Sequence, residues 1–383
     1  MSEIEIDPER QTQAKRYARL QRRLMLVDLL LSGLYLLAWL FFGWSQRLRD
    51  ALLNFTENEW LLVVGFASVF GGLYLLLSLP LSYYSGFILP HRFDLSTQTI
   101  SGWVLDQLKS FALAALLGGL LLEVIYALLR ASPDWWWLWV ALVMLLFNVL
   151  LTNLAPVLLL PIFYKLSPLG EEYAGLSERL LSLADRAHTH VCGVYQFDMS
   201  RRTKAANAAL VGLGNTRRII LGDTLLKEFT PDEIETVLAH ELAHHVHRDI
   251  PIGIIVEGVL TLAGLYLAAL GLDFGVHYFS LSGVDDVAGM PLLGLAMGAY
   301  GLLTLPLGNA FSRWRERRAD QYALQITDNG VAYASALTRL ANQNLADADP
   351  ESWVEFILYS HPALKRRIAL AQQYTASRQT AVG

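Results

Sequence analysis

The chain has 383 residues, of which 54% are hydrophobic and 17% charged, with a mean hydropathy of +0.36 and a formal charge of -5. This composition excludes an ordinary soluble domain and describes a membrane protein, and the absence of a basic stripe interleaved with aromatics argues against a nucleic-acid partner. Cys192 is the single cysteine, so neither a disulfide framework nor a thiolate metal cluster is available, and any metal must be held by His, Asp or Glu.

In chain order, a polar segment containing Arg10, Lys15, Arg16, Arg19, Arg22 and Arg23 leads into an apolar run from Leu24 to Trp44. That run exceeds the core of a signal peptide and ends without a small-x-small cleavage site, which predicts an uncleaved first span. Five further stretches reach the roughly 20 residues needed to cross a bilayer: Trp60 to Leu79, Phe111 to Leu129, Trp135 to Pro161, Ile250 to Leu272 and Met290 to Phe311. Six spans put both termini on one side. The N-terminal segment, residues 162–249 and the tail after Phe311 carry most of the Lys and Arg, whereas Asp273 to Gly289 has none. The bias predicts cytoplasmic termini and a cytoplasmic polar domain, in a bacterial inner membrane or an endoplasmic reticulum membrane, with Arg47 and Arg49 running against the rule.

Residues 162–249 open with a predicted helix from Glu171 to His190. Three strands follow as a meander, Gly193 to Asp198, Asn207 to Leu213 and Arg217 to Leu221, with a tight turn at Gly214-Asn215. Thr230-Pro231-Asp232-Glu233 is a capping box with Pro at the first helical position, so a helix starts there. The expected organisation is a membrane domain over 1–161, a first polar part over 162–249, a hairpin of two spans over 250–311 and a second polar part over 312–383. The fold class is thus a polytopic α-helical membrane protein with a cytoplasmic-side α+β domain.

The helix begun at Thr230 carries His240-Glu241-Leu242-Ala243-His244. Two His four residues apart lie one above the other on a helix face and can bind one Zn²⁺, leaving Glu241 beside it as a general base. A hydrolytic zinc site needs a third protein ligand. The segment from Ser312 to Asp320 supplies Glu316 and Asp320 on one helix face; Glu316 would bind zinc while Asp320 bonds the far nitrogen of His240. Taken alone, the segment also reads as a solvated helix whose acids pair with its many Arg. His247 returns to the face of His240 but about two turns, roughly 10 Å, away, and His245 points off it, so neither is expected to share the metal. Asp28, Glu123 and Glu257, with Asn148, Asn153 and Asn309, are polar groups inside spans, and they read either as functional groups or as interhelical hydrogen-bond partners.

Further motifs narrow the reading. The pentad and the Glu316-x-x-x-Asp320 helix flank a membrane hairpin; Asn207-Ala208, Gly212-Leu213-Gly214 and Thr216-Arg217-Arg218-Ile219-Ile220 precede it; His361-Pro362 and Arg367 follow. With Pro90-His91-Arg92-Phe93, Gln98-Thr99 and Asp106 upstream, the chain resembles the integral-membrane zinc metallopeptidases that include the CAAX prenyl endopeptidases and the bacterial heat-shock membrane protease. The resemblance implies one Zn²⁺ per chain on His240, His244 and Glu316, and a substrate backbone held at an edge strand by Asn207 and Ala208. It also implies that His361 and Arg367 polarise the scissile carbonyl, and that polar groups in the spans line a water-filled chamber. Six spans and the 90–106 loop resemble the CAAX branch. Arg92 and Ala243 stand where that branch usually has Gly, and Asp249 is more like the heat-shock branch.

The resemblance implies that the cytoplasmic-side α+β domain of this polytopic α-helical membrane protein is a zincin-like metallopeptidase domain. The function it implies is that of a membrane-embedded zinc endopeptidase of CAAX type, acting on a peptide or protein that is lipidated or membrane-inserted. A quality-control metalloprotease without a prenylated substrate is the alternative within the class. A zinc-binding transporter or channel would leave Glu241 and the His361 to Arg367 motif without a role, and an inactive scaffold would not be expected to keep every catalytic group.

Overall fold

The computed structural model describes residues 5–212 and 216–382. Helix α1 spans Pro8–Phe41, with the Asp7 carboxylate accepting from the backbone N–H groups of Glu9 and Arg10. The basic N-terminal segment and the first span are therefore one continuous element. Gly43, at φ 68, turns the chain into the short α2 (Trp44–Leu53). Helix α3 (Glu59–Tyr83) continues through a π-helical turn into α4 (Leu89–Arg92). Helices α5 (Ile100–Ala131) and α6 (Trp136–Leu154) follow, and a second π-helical turn leads to α7 (Leu160–Phe163). Each π-helical turn lies just before a proline, Pro90 or Pro161, which cannot donate to the helical ladder; the widened turn accommodates the missing bond.

Among the described residues six helical stretches are long and apolar enough to cross a membrane, and protein covers only 6% to 22% of their apolar windows, as a lipid-facing surface requires. Arg49, which runs against the charge bias, is neutralised by an ion pair with buried Asp286 and reaches Ser282 Oγ at 3.3 Å. The acidic loop between the last two spans thus accounts for one of the two exceptions, Arg49.

The polar part begins with β1 (Leu166–Pro168), which the sequence reading did not anticipate, and α8 (Ala174–Arg186). Strands β2 (Val194–Phe197), β3 (Ala208–Val211) and β4 (Arg218–Gly222) form with β1 a sheet of order β1-β2-β4-β3. This is not a meander. Strand β4 inserts between β2 and β3, running parallel to β2 and antiparallel to β3, with Ala208 opposite Leu221. Pairing order is set by long-range contacts that local alternation does not encode: Asp223 accepts from the Ser200 N–H at 2.8 Å and Thr224 Oγ1 donates to the Ala205 C=O at 2.7 Å, fastening the crossing segment that carries β3 to the edge. The expected turn at Gly214-Asn215 lies outside the described residues.

Helices α9 (Asp223–Glu228) and α10 (Pro231–Val246) precede the membrane hairpin of α11 (Asp249–Tyr278) and α12 (Met290–Thr327). Helix α12 is unbroken past Pro306 and carries the chain from the membrane into the polar part. The fold ends with α13 (Gly330–Gln343), α14 (Ser352–Leu358) and α15 (Leu364–Val382). One hydrophobic core joins Leu180 and Leu183 of α8, Ile219 and Leu221 of β4, Leu238 and Leu242 of α10, Leu337 of α13 and Ala371 of α15. Residues on both sides of the hairpin therefore pack as one body.

Candidate active site

Helix α10 starts at the expected capping box: Thr230 Oγ1 accepts from the Glu233 N–H at 3.3 Å and Glu233 Oε2 from the Thr230 N–H at 2.8 Å. Fixing that end sets the rotation of the helix, and His240 and His244 emerge on one face with ring centroids 5.1 Å apart and planes at 89°. Opposite them, α12 presents Glu316. Its Oε2 lies 3.1 Å from His240 Nε2 and its Oε1 3.5 Å from His244 Nε2. One ligand atom from each of the three residues lies within 4.8 Å of the others. A tetrahedral ion with bonds near 2.1 Å separates its ligand atoms by about 3.4 Å, so these donors fit one small cation. Glu316 Oε2 is buried and makes no aligned hydrogen bond despite its closeness to His240. Proximity without hydrogen-bond alignment suits ligand atoms aimed at a shared ion.

Both imidazoles have Nδ1 engaged behind the site. His240 Nδ1 lies 3.0 Å from Asp320 Oδ1 and 3.2 Å from the Tyr333 hydroxyl, which donates to Asp320 at 2.6 Å. Arg367 donates to both Asp320 oxygens, Nε at 2.9 Å and Nη2 at 2.7 Å. His244 Nδ1 lies 2.9 Å from Asp249 Oδ2. These contacts fix the rings and turn both Nε2 atoms toward Glu316. Burial opposes a charge on His240, but Asp320 and Glu316 outweigh it and raise its pKa to about 9. The negative field that would hold a proton there equally favours a metal cation. Burial raises the Glu241 carboxyl above its ordinary value.

Sequence reasoning missed Tyr333 and the role of Asp249. Helix α10 ends at Val246, Arg248 takes a left-handed conformation at φ 55, and α11 begins at Asp249. That sharp turn folds Asp249 back onto His244; nothing in helical periodicity signals it. His245 instead points Nε2 toward the Leu210 C=O at 3.5 Å, and His247 packs on Tyr322 at 5.6 Å, so both lie outside the cluster.

His361 sits in the loop between α14 and α15, its Nε2 3.4 Å from Glu316 Oε2 and its Nδ1 2.9 Å from Ser360 Oγ. Helix α12 holds that loop: Asn309 Nδ2 donates to the Ile357 C=O at 2.6 Å, and Arg313 Nη1 to the C=O groups of Glu355 and Tyr359 at 2.9 and 2.6 Å. Asn309, Arg313, Glu316 and Asp320 form one stripe that positions the C-terminal segment and the site together. The upstream motif has a similar tying role. Asp106 takes two bonds from Arg202, at 2.8 and 2.9 Å, and one from Gln98 at 2.7 Å, joining α5 to the segment before β3.

A cavity of about 810 Å³ opens over these groups, lined among others by Asn207, Ala208, His240, Glu241, His361 and Arg367. Tyr17 and Gln21 of α1 also line it. Asp28, Glu123 and Glu257 are not among its lining residues; Glu257 accepts from Asn148 at 3.0 Å, and Glu123 is buried without a hydrogen-bond partner.

Residues 171–375 match the family model for peptidase family M48, and residues 2–165 match that described as the CAAX prenyl protease N-terminal, five membrane helices. The chain belongs to peptidase family M48. Over 364 residues it is 30% identical to the uncharacterized metalloprotease YhfN of Bacillus subtilis, covering 94% of this chain and 85% of that one. It is 28% identical to the probable CAAX prenyl protease 1 of Schizosaccharomyces pombe, covering 76% of this chain and 62% of that one. The crystal structure of S. mikatae Ste24p has the same fold, with a TM-score of 0.83 at 24% identity over 97% of this chain and 92% of that one. The protein is thus a multi-pass membrane metalloprotease of the M48 family with a Ste24p-like fold.

Proposed function

We propose that this metalloprotease is a zinc endopeptidase that takes an extended peptide against the edge of β3 and cleaves it over the His240-His244-Glu316 cluster. The observation that carries the reading is the convergence of three ligand atoms, each imidazole braced by its own carboxylate, beneath a cavity that an edge strand borders. Two imidazoles and one carboxylate match zinc's preferences in hydrolases, with a coordination position left for chemistry. Zinc held there supplies Lewis-acid polarisation of the scissile carbonyl and of an attacking water.

The chain's own residues complete the reaction. Glu241, facing the cavity, accepts a proton from the attacking water and returns it to the leaving amine, a role that suits its raised pKa. His361 lies within reach of Glu316 on the cavity side and opposes the charge that grows on the carbonyl oxygen. Arg367 lines the same cavity and adds positive charge while holding Asp320. Ala208 presents the backbone of β3 to the substrate, and Asn207, exposed at the cavity just before the strand, offers its side chain. Residues 162–249 and 312–383 act as one catalytic unit interrupted by the hairpin, a division supported by their shared core. The Lys/Arg bias supports a cytoplasmic catalytic face.

A lipidated substrate of the CAAX type accords with the name of the Schizosaccharomyces pombe relative, a probable CAAX prenyl protease 1. Proteolysis of membrane proteins without a lipid requirement is the second reading, favoured by the 30% identity to a Bacillus subtilis relative named only as a metalloprotease. The test is Glu241→Gln. It should keep zinc at the wild-type stoichiometry while peptide cleavage falls by about a thousandfold; wild-type cleavage by that variant would end the proposal. Comparing a prenylated peptide with its unmodified form then separates the two substrate readings.

A further inference from the structure

The outer edge of β3 is not open along its whole length. The Gly222 N–H donates to the Asn207 C=O at 2.9 Å, and the register sets Ala208 opposite Leu221 and Ala209 opposite Ile220. Residues that bond across an antiparallel pair alternate with residues that do not. Asn207 and Ala209 therefore turn their backbone groups to β4, while Ala206, Ala208 and Leu210 turn theirs outward. At Ala206 both groups are taken by one side chain: Asn344 Oδ1 accepts from the N–H at 2.8 Å and Asn344 Nδ2 donates to the C=O at 3.1 Å. The carboxamide stands where the backbone of an added strand would stand. At Leu210 the C=O is approached by His245. Ala208 lies between these two neighbours and, like Asn344, lines the cavity.

Asn344 is firmly placed. It closes α13 by donating its N–H to the Leu340 C=O at 3.0 Å, and the next residue, Leu345, is buried with φ 50. The loop that carries the carboxamide is thus anchored on both sides of it.

We propose that Asn344 is a specificity-determining stop: it ends the strand pairing of a bound peptide at Ala208, so the enzyme favours substrates that terminate or turn away beyond that pair. The inference rests on the edge-strand binding proposed above and adds a length rule to it. A peptide continuing as a strand past Ala208 must displace two hydrogen bonds from Ala206 before it can replace them. A peptide antiparallel to β3 meets the stop with its C-terminal side, and a parallel one with its N-terminal side.

The test uses the full-length, zinc-loaded protein and two peptide series that share one cleaved bond, one series lengthened at the N-terminus and the other at the C-terminus. In wild type, kcat/KM should fall by about tenfold beyond a fixed length in one series only, the penalty expected for roughly one displaced hydrogen-bond pair. Asn344→Ala and Asn344→Ser should each shrink that penalty to roughly threefold or less. Ratios of long to short peptide within one variant cancel differences in folded fraction. A role confined to supporting the loop would change the rate on all peptides alike. Equal penalties in wild type and both variants, or no penalty in either series, overturn the proposal. Both series are made with and without a prenylated cysteine; if wild type cleaves no member of either form, the peptidase reading falls, and the length rule with it.

Discussion

The two histidines of the cluster look alike in sequence, but the protein holds them differently. Behind His240, Asp320 is 1% exposed and bonded by both Tyr333 and Arg367, which come from α13 and α15. Behind His244, Asp249 comes from the turn that follows the same helix; one of its oxygens makes no hydrogen bond, although Arg318 stands 4.0 Å away. His240 is therefore tied to the tertiary structure of the C-terminal third of the chain, and His244 to a local turn at the start of a membrane helix. On the proposed ligand set, one support would couple metal binding to global stability and the other to a corner of the backbone.

Mutation of the supports should separate these two modes. Asp320→Ala should have the larger effect, lowering zinc affinity by about 10- to 100-fold and, by leaving the Arg367 guanidinium buried and unpaired, lowering stability by about 3–5 kcal/mol. Metal titration and denaturant unfolding measure the two effects. Asp249→Ala should lower zinc affinity over the same range of about 10- to 100-fold, but with a stability loss of about 1–2 kcal/mol. A stability loss equal to that of Asp320→Ala would erase the distinction. Tyr333→Phe is the mildest change, removing one donor while keeping the ring, and should cost about 1 kcal/mol with zinc stoichiometry intact. Tyr333→Phe that loses zinc outright would show that the hydroxyl, rather than Asp320, orients His240.

Much of this site was legible in the sequence because its parts are local. The capping box, the His240 and His244 pair and the Glu316 and Asp320 pair are each a spacing on one helix, and helix geometry turns spacing into direction. The spans were legible for a similar reason, since hydropathy acts residue by residue. What escaped depended on distant partners. The order of β2, β3 and β4 is decided by which strand meets which, and β1 has only three residues, too few for alternation to show. Arg367 could be placed near the site by resemblance, yet its bidentate grip on Asp320 depends on how α15 packs. Asp249 was visible only as a subfamily difference, because its function arises from the left-handed turn at Arg248. The helix that carries the first span begins well before the apolar run, at Pro8, because a charged, well-capped helix continues into an apolar one without a boundary.

The docking of α1 bears on how the enzyme comes to be active. The Asp7 N–H bonds Asn342 Oδ1 at 3.1 Å, and Gln11 exchanges hydrogen bonds of 3.0 Å with the backbone of Ala346 and Ala348. These contacts join residues some 335 positions apart, and Tyr17 and Gln21 on the same helix line the cavity. The first wall of the candidate active site to leave the ribosome must therefore wait for the last one, as must His240 for Glu316, Asp320 and Arg367. Synthesis proceeds from the N-terminus while long-range contacts close late. On the proposed reading, a nascent chain that holds the HExxH pentad but lacks α12 and α15 would not be a working peptidase, and proteolytic power would arrive only after the sixth helix has been inserted and the tail has closed over it.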